Sequence, residues 1–272
     1  MAKRTLTVIT YVLAGLCFVA CLLSIGKNDI YQDGAWANAQ WFGQDIVTLL
    51  IALPFLLVSF FKGIRNGNKR WTMVYGGILL YYGYTYSFFM FAANLSFLYL
   101  FHLPIFGLSV IGLVIACIGF FSQKDHYSME GKGLKGIIIT YLVLISLMIS
   151  FLWLNDIISH LVIPDYKSDT PNGQAPLIIY SLDLAILIPL MICSAVLIYR
   201  NTNWGYILCG MILTKTSTLG FALMAMALSM NIQELDPDVF LIVLWSIIGI
   251  IGTLLTISYL SNLKVEPSTS GR

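Results

Sequence analysis

The chain has 272 residues, 58% of them hydrophobic and only 10% charged, with a formal net charge of +2. A soluble domain carries about 25% charged residues, so this balance excludes an ordinary water-soluble fold and makes the bilayer the intended solvent.

Apolar runs near the ~20 residues that span hydrocarbon recur throughout. They lie at 5–25, 45–61, 72–93, 97–121, 136–154, 176–199, 205–229 and 239–260. In hydrocarbon the backbone must satisfy its own hydrogen bonds, and runs this long and apolar argue for helices over a barrel. The expected fold is all-α: a polytopic transmembrane bundle of about eight helices. It forms a single integral membrane domain over 1–272, with a short cytoplasmic tail at 261–272.

The first span follows Lys3 and Arg4 as a signal peptide would. Its apolar run exceeds a signal h-region and no small-residue cleavage site follows closely, so it is read as a retained helix. All five cysteines, Cys17, Cys21, Cys117, Cys193 and Cys209, fall inside spans and none forms a CxxC. They read as buried free thiols, without a disulfide framework or a metal site.

The second span opens with Gln44 and Asp45 beside Trp41, and carries Pro54. There Asp45 would either cap free amides, favoured by the helix dipole, or hold a carboxylate at the outer mouth of the bundle. The third span carries Tyr75, Tyr81, Tyr82, Tyr84 and Tyr86. Tyr82 and Tyr86 share a helix face, and hydroxyls at that depth need partners. They line a polar cavity or join neighbouring helices. His102 and Pro104 lie in the fourth span; His102 is a proton relay or a hydrogen-bonded helix residue. His160 with the acids of 155–175 matches no recognised metal spacing, and Glu234, Asp236 and Asp238 lack an EF-hand's glycine and terminal glutamate.

Asp183 lies in the sixth span ahead of Pro189, and Lys215 is the only formal charge of Gly205–Ser229. An intramembrane ammonium costs at least a few kcal/mol unless it meets a partner or a wet cavity. Across the turn at Asn201–Trp204 the two charges lie at depths of about 25 and 18 Å, so a pair is within reach of the lysine stem. Such a pair is a functional site or a structural lock.

With the N-terminus inside, the inner segments hold Lys3, Arg4, Lys62, Arg65, Lys69, Arg70, Lys124, Lys132, Lys135, Arg200, Lys264 and Arg272, and the outer loops only Lys27 and Lys167. That bias sets both termini in the cytoplasm and supports an even helix count. The outer loops carry Asp29, Asp33, Asp156, Asp165, Asp169, Glu234, Asp236 and Asp238, read as solvated surface or as an attraction for cations. The basic inner face follows from topology, so no nucleic-acid partner is implied.

The halves 1–121 and 134–262 rhyme: a carboxylate near the outer end of a helix, a proline further in, a basic inner turn and an aromatic–glycine start to the next helix. Four helices per half would make this a parallel repeat about an axis along the membrane normal. Glycine steps at Gly249–Gly252 and Gly107–Gly112 suit close helix contacts. No Walker A, HExxH or GxSxG occurs, nor an arginine ladder or a selectivity-filter sequence. A retinal Schiff base at Lys215 is disfavoured by eight spans and by tyrosines where a carboxylate counter-ion is expected.

Trp41-Phe42-Gly43-Gln44-Asp45-Ile46-Val47-Thr48-Leu49 with Pro54, the tyrosine-rich third span, Leu182-Asp183-Leu184 with Pro189, and Trp204-Gly205-Tyr206 with Lys215 and Gly220 form a pattern. It resembles a broad group of uncharacterised bacterial multi-pass integral membrane proteins. The likeness covers roughly 41–225 and implies a bacterial cytoplasmic-membrane protein of about eight helices, with no activity attached. That group's second-half inner turn is arginine-rich and contains proline, whereas here it is Arg200-Asn201-Thr202-Asn203.

The expected function is a small-solute or ion transporter built around Asp183 and Lys215, with Asp45, Gln44, Tyr82, Tyr86 and His102 as further ligand or ion contacts. A membrane-embedded enzyme acting on a lipid or isoprenoid, and an accessory subunit of a membrane complex, are the alternatives. No catalytic residue, metal ligand set or cofactor is indicated. The expected partners are membrane lipids, a small solute or ion, and further copies or other subunits in an oligomer.

Overall fold

The computed structural model describes residues 2–27, 30–121, 125–129, 132–170, 173–235 and 239–266. Eight helices carry nearly all of them: α1 Ala2–Gly26, α2 Ala35–Arg65, α3 Lys69–Phe91, α4 Tyr99–Phe121, α5 Lys132–Val162, α6 Leu177–Tyr199, α7 Asn203–Ile232 and α8 Val239–Asn262. Two short strands, β1 His126–Met129 and β2 Leu263–Glu266, pair with each other. The start of the expected tail is therefore structured; Arg272, with Asp29, Lys124, Asp236 and Asp238, lies outside the described residues. Among the described residues, seven helices are long and apolar enough to cross a membrane. The other, α3, is 23 residues long and carries the tyrosines, which lower its hydropathy. The chain is an all-α polytopic bundle and a multi-pass membrane protein.

One element starts earlier than hydropathy alone indicates. α2 begins at Ala35, after an extended Gly34, where 45 was expected. The added stretch Ala35-Trp36-Ala37-Asn38-Ala39-Gln40 is only moderately apolar but rich in alanine, the strongest helix former. Asp45 consequently sits inside α2, so it is not an N-cap.

The described residues form two compact units, 1–127 with 210–272, and 128–209. These bounds differ from the halves read in the sequence. In the first unit α3 is the core: Tyr75, Tyr81, Tyr82 and Tyr86 are fully buried. α3 and α7 run side by side, and a Cβ on Gly77 would lie 2.6 Å from the Met211 carbonyl oxygen. Only glycine allows that approach. α8 packs on α7 through Gly249, where a Cβ on Gly220 would lie 2.7 Å from the Gly249 Cα; Gly107, by contrast, faces open space. Apolar side chains such as Val8, Ile118 and Leu254 stay exposed, as a lipid-facing surface requires.

Basic side chains gather at one end of this unit. Lys3 Nζ donates to the Arg65 carbonyl at 2.7 Å, Lys69 pairs with Asp125 at 3.1 Å, and Arg70 donates to the Leu263 carbonyl. The start of α1 and the chain after α8 thus share an end, as an even number of crossings demands.

The second unit holds α5, α6 and the first turns of α7. Its α6 repeats a local device of α2. A proline lacks an N–H and its ring crowds the carbonyl four residues back. α2 widens to a π-helical turn at Thr48–Ala52 ahead of Pro54, closed by the Leu53 N–H on the Thr48 carbonyl. α6 does the same at Asp183–Leu187 ahead of Pro189, closed by the Ile188 N–H on the Asp183 carbonyl. Pro54 and Pro189 stand 135 positions apart, as do Thr48 and Asp183, Arg65 and Arg200, and Asn68 and Asn203. In this register Asp183 corresponds to Thr48, and Asp45 to Tyr180.

Candidate functional site

Asp45 is 2% exposed, deep enough that an unassisted carboxylate would be costly. Two elements bring three donors to it. Ser24, in the last turns of α1, donates to one oxygen; Tyr31, in the α1–α2 connection, donates at 2.6 Å; and the Cys21 thiol of α1 approaches at 3.8 Å. Ser24 and Cys21 lie three residues apart and so share a face of α1. The Tyr31 phenol is held well above its ordinary range, first by burial and then by the adjacent Asp45.

The connection carrying Tyr31 is itself pinned. Asp33 accepts from the Trp41 indole N–H at 3.0 Å and from the Asn94 backbone N–H at 2.9 Å, while the Asn94 side chain donates to the Gln32 carbonyl at 3.0 Å. Asp33, half-buried, is thus an acceptor tying the α1–α2 and α3–α4 connections together. This latch fastens the connection whose Tyr31 reaches Asp45.

His102, 2% exposed, lies among rings, with centroids 4.4 Å from Phe89, 5.5 Å from Tyr86 and 6.2 Å from Tyr31. Tyr86 directs its hydroxyl to the Cys17 sulfur at 3.9 Å, and its ring lies tilted against Tyr82 with centroids 5.9 Å apart. Asp45, His102, Tyr86 and Tyr82 therefore gather on one side of α3, around α1, α2 and α4. Gln44, a buried neighbour of Asp45, turns elsewhere and donates to the Tyr81 hydroxyl.

Lys215, 1% exposed, occupies another side of α3. Its ammonium lies 3.6 Å from the centroid of the Tyr84 ring, a cation–π contact inside the bundle. Tyr84 and Tyr82 are two positions apart, about 160° around the helix. The tyrosine-rich helix thus divides the expected site residues into an acidic and a basic environment.

In the second unit Asp183 is 5% exposed and accepts from the Trp153 indole N–H at 2.7 Å. Its neighbour cluster centres on Asp156, near the end of α5. That carboxylate accepts from Tyr166 at 2.7 Å, Ser168 at 2.6 Å and Tyr180, with His160 Nδ1 at 4.0 Å. Like Asp33, Asp156 is an inward acceptor. Tyr166 and Tyr31 obey the 135-residue register, as do Tyr180 and Asp45, and Asp156 and Cys21. Each helical hairpin therefore has a loop tyrosine donating to a carboxylate, but the carboxylate sits on opposite helices in the two.

Among the described residues no group of three or more His, Cys, Asp or Glu could hold a metal ion. Comparison with known protein families, curated proteins and solved structures found no match. Ser24, Tyr31, Asp33, Tyr84, Trp153 and Asp156 were not expected as site residues. Tyr31 and Asp33 carried a usable signal, standing just ahead of a helix that contains a buried acid.

Proposed function

We propose that this multi-pass membrane protein is a small-solute or ion transporter of the bacterial cytoplasmic membrane, with both termini inside. The observation that carries the reading is the Asp45 carboxylate, enclosed by neutral donors from α1 and the α1–α2 connection and set one turn before the π-helical turn of α2. Intramembrane ionisable residues mark ion or substrate paths by default. A carboxylate held by hydroxyls and a thiol can take up a proton or a small cation. Either event would weaken the donor set that fastens the connection under the Asp33 latch.

π-helical turns recur at functional sites, and wide turns beside prolines give a membrane helix a place to bend. α2 and α6 each have one just ahead of a proline, α2 has another at Phe60–Arg65, and Asp183 heads the one in α6. Lys215 supplies a cation that an anionic group of a solute could share with the Tyr84 ring. Population then shifts between states only as far as the ligand prefers one of them.

Purified protein in detergent, screened by thermal shift against amino acids, carboxylates, inorganic phosphate and mono- and divalent cations, is expected to be stabilised by one class. That class should then accumulate in proteoliposomes. Asp45→Asn and Lys215→Met are expected to fold but to lose uptake; full uptake by both variants would overturn the reading.

A further inference from the structure

The first unit contains an apolar cavity of about 490 Å³ between α2, α3, α7 and α8, within the size range of ligand sites. It runs from Ile51 and Phe221 to Trp71 and Arg70, and two of its lining side chains, Phe55 and Ile257, are 46% and 58% exposed on the lipid-facing surface. Five of its six hydroxyls make no demand on an occupant. Thr214, Ser217, Thr218, Thr253 and Thr256 each donate to a backbone carbonyl one turn back on their own helix. A polar solute would find few donors there, whereas a hydrocarbon chain would leave those five hydroxyls satisfied.

Chemistry changes at the basic end. Arg70 also lines a second, polar cavity of about 370 Å³ with Gly67, Asn68, Lys69 and Asp125. Beside it, Lys62 Nζ stands 4.5 Å from the Trp71 ring centroid, and Trp71 lines the apolar cavity. An apolar channel that opens to lipid and ends at two cations and a polar hollow matches an amphiphile with an anionic head. Basic pockets between membrane helices recognise such head groups.

We propose that this groove holds one acyl chain of an anionic glycerophospholipid, with its phosphate between Lys62 and Arg70. The lipid is a bound component, distinct from any solute handled at Asp45 or Lys215. It would brace α8 against α2 and α3 at the end where the chain enters β2.

The test uses full-length, delipidated protein titrated with phosphatidylglycerol or phosphatidylcholine of matched chains and read by native mass spectrometry. One phosphatidylglycerol is expected to bind in preference to phosphatidylcholine. Lys62→Gln and Arg70→Gln should each weaken it about fivefold. Because Arg70 also holds the Leu263 carbonyl, Thr218→Phe serves as an independent variant that fills the apolar cavity and keeps both cations. It should abolish the stoichiometric lipid while the protein keeps its helical circular dichroism. Equal binding of the two lipids, or phosphatidylglycerol binding that survives both Lys62→Gln and Thr218→Phe, would overturn the proposal.

Discussion

Tyr31 donates its hydroxyl to the Asp45 carboxylate across 2.6 Å and so ties the α1–α2 connection to the interior of α2. A hydrogen bond to a charged group is worth about 1.5–3 kcal/mol, and its loss leaves a buried oxygen short of a donor. Tyr31→Phe is therefore expected to lower stability in detergent by roughly that amount. In an Asp45→Asn background the same change should cost less, because a neutral amide asks less of its donor. The effect has a pH signature. The folded Tyr31 phenol is raised well above its ordinary value near 10, through burial and then the Asp45 charge. A raised group stabilises the fold below its unfolded value and loses that contribution as pH climbs above it. Stability of the native protein should fall above pH 10, less steeply in Tyr31→Phe. Identical alkaline slopes for the two proteins would remove Tyr31 from the account.

Lys215 and Tyr84 make a second test. A cation over an aromatic face is worth about 2 kcal/mol or more when water is excluded. Tyr84→Phe keeps the ring and should melt close to the native protein, whereas Tyr84→Leu should lose about 2 kcal/mol. If the ring acts through the ammonium, the Leu and Phe variants converge once Lys215→Met is added. A difference that persists without the lysine would mean that Tyr84 matters through packing alone.

The contact of α3 with α7 depends on the missing side chain of Gly77. A Cβ there would lie 2.6 Å from the Thr214 Cβ as well as from the Met211 carbonyl oxygen, and neither helix can yield without moving its neighbours. Gly77→Val should cost at least the 1–3 kcal/mol typical of overpacking. It should also disturb Lys215, the residue after Thr214. Gly107→Val, on an open face of α4, serves as the matched control and should melt like the native protein. Comparable losses in both would point to helix propensity instead of contact.

The eight helices were legible because apolar runs of membrane length leave few alternatives to a helix. Hydropathy failed where propensity acted without it, as at Ala35–Gln40, and the late start then turned Asp45 into a capping candidate. The intramembrane acids and Lys215 announced themselves by their cost in hydrocarbon. Their partners were fainter: Tyr31 stands just ahead of a helix that contains a buried acid, whereas Trp153 is an ordinary interface residue until the fold brings it to Asp183. Nor did the tyrosines declare which faced Lys215. Tyr82 and Tyr86 share a face by spacing, but which neighbour that face meets is decided by the glycines that bring α3 to α7. The register of 135 residues became visible only after the π-helical turns fixed Pro54 against Pro189. Sequence identity is thin there, and the acid had moved from one helix of the hairpin to the other.

Pro54 tests whether the wide turn matters to function. Its ring keeps α2 from closing an ordinary turn at Leu50, and the turn at Thr48–Ala52 starts three residues after Asp45. Pro54→Ala restores an N–H and removes the clash, so a regular α-helix becomes available. The change should leave thermal stability equal or raise it, since alanine favours the helix and no packing residue is lost. If the turn is where α2 bends during transport, uptake in proteoliposomes should fall although the protein is no less stable, as happens when a functional weak point is repaired. Pro189→Ala, at the matching position of α6, should act in the same direction. Uptake at the native rate in both variants would reduce the two proline-linked π-helical turns to packing features and leave the transport reading to the Asp45 donor set and Lys215.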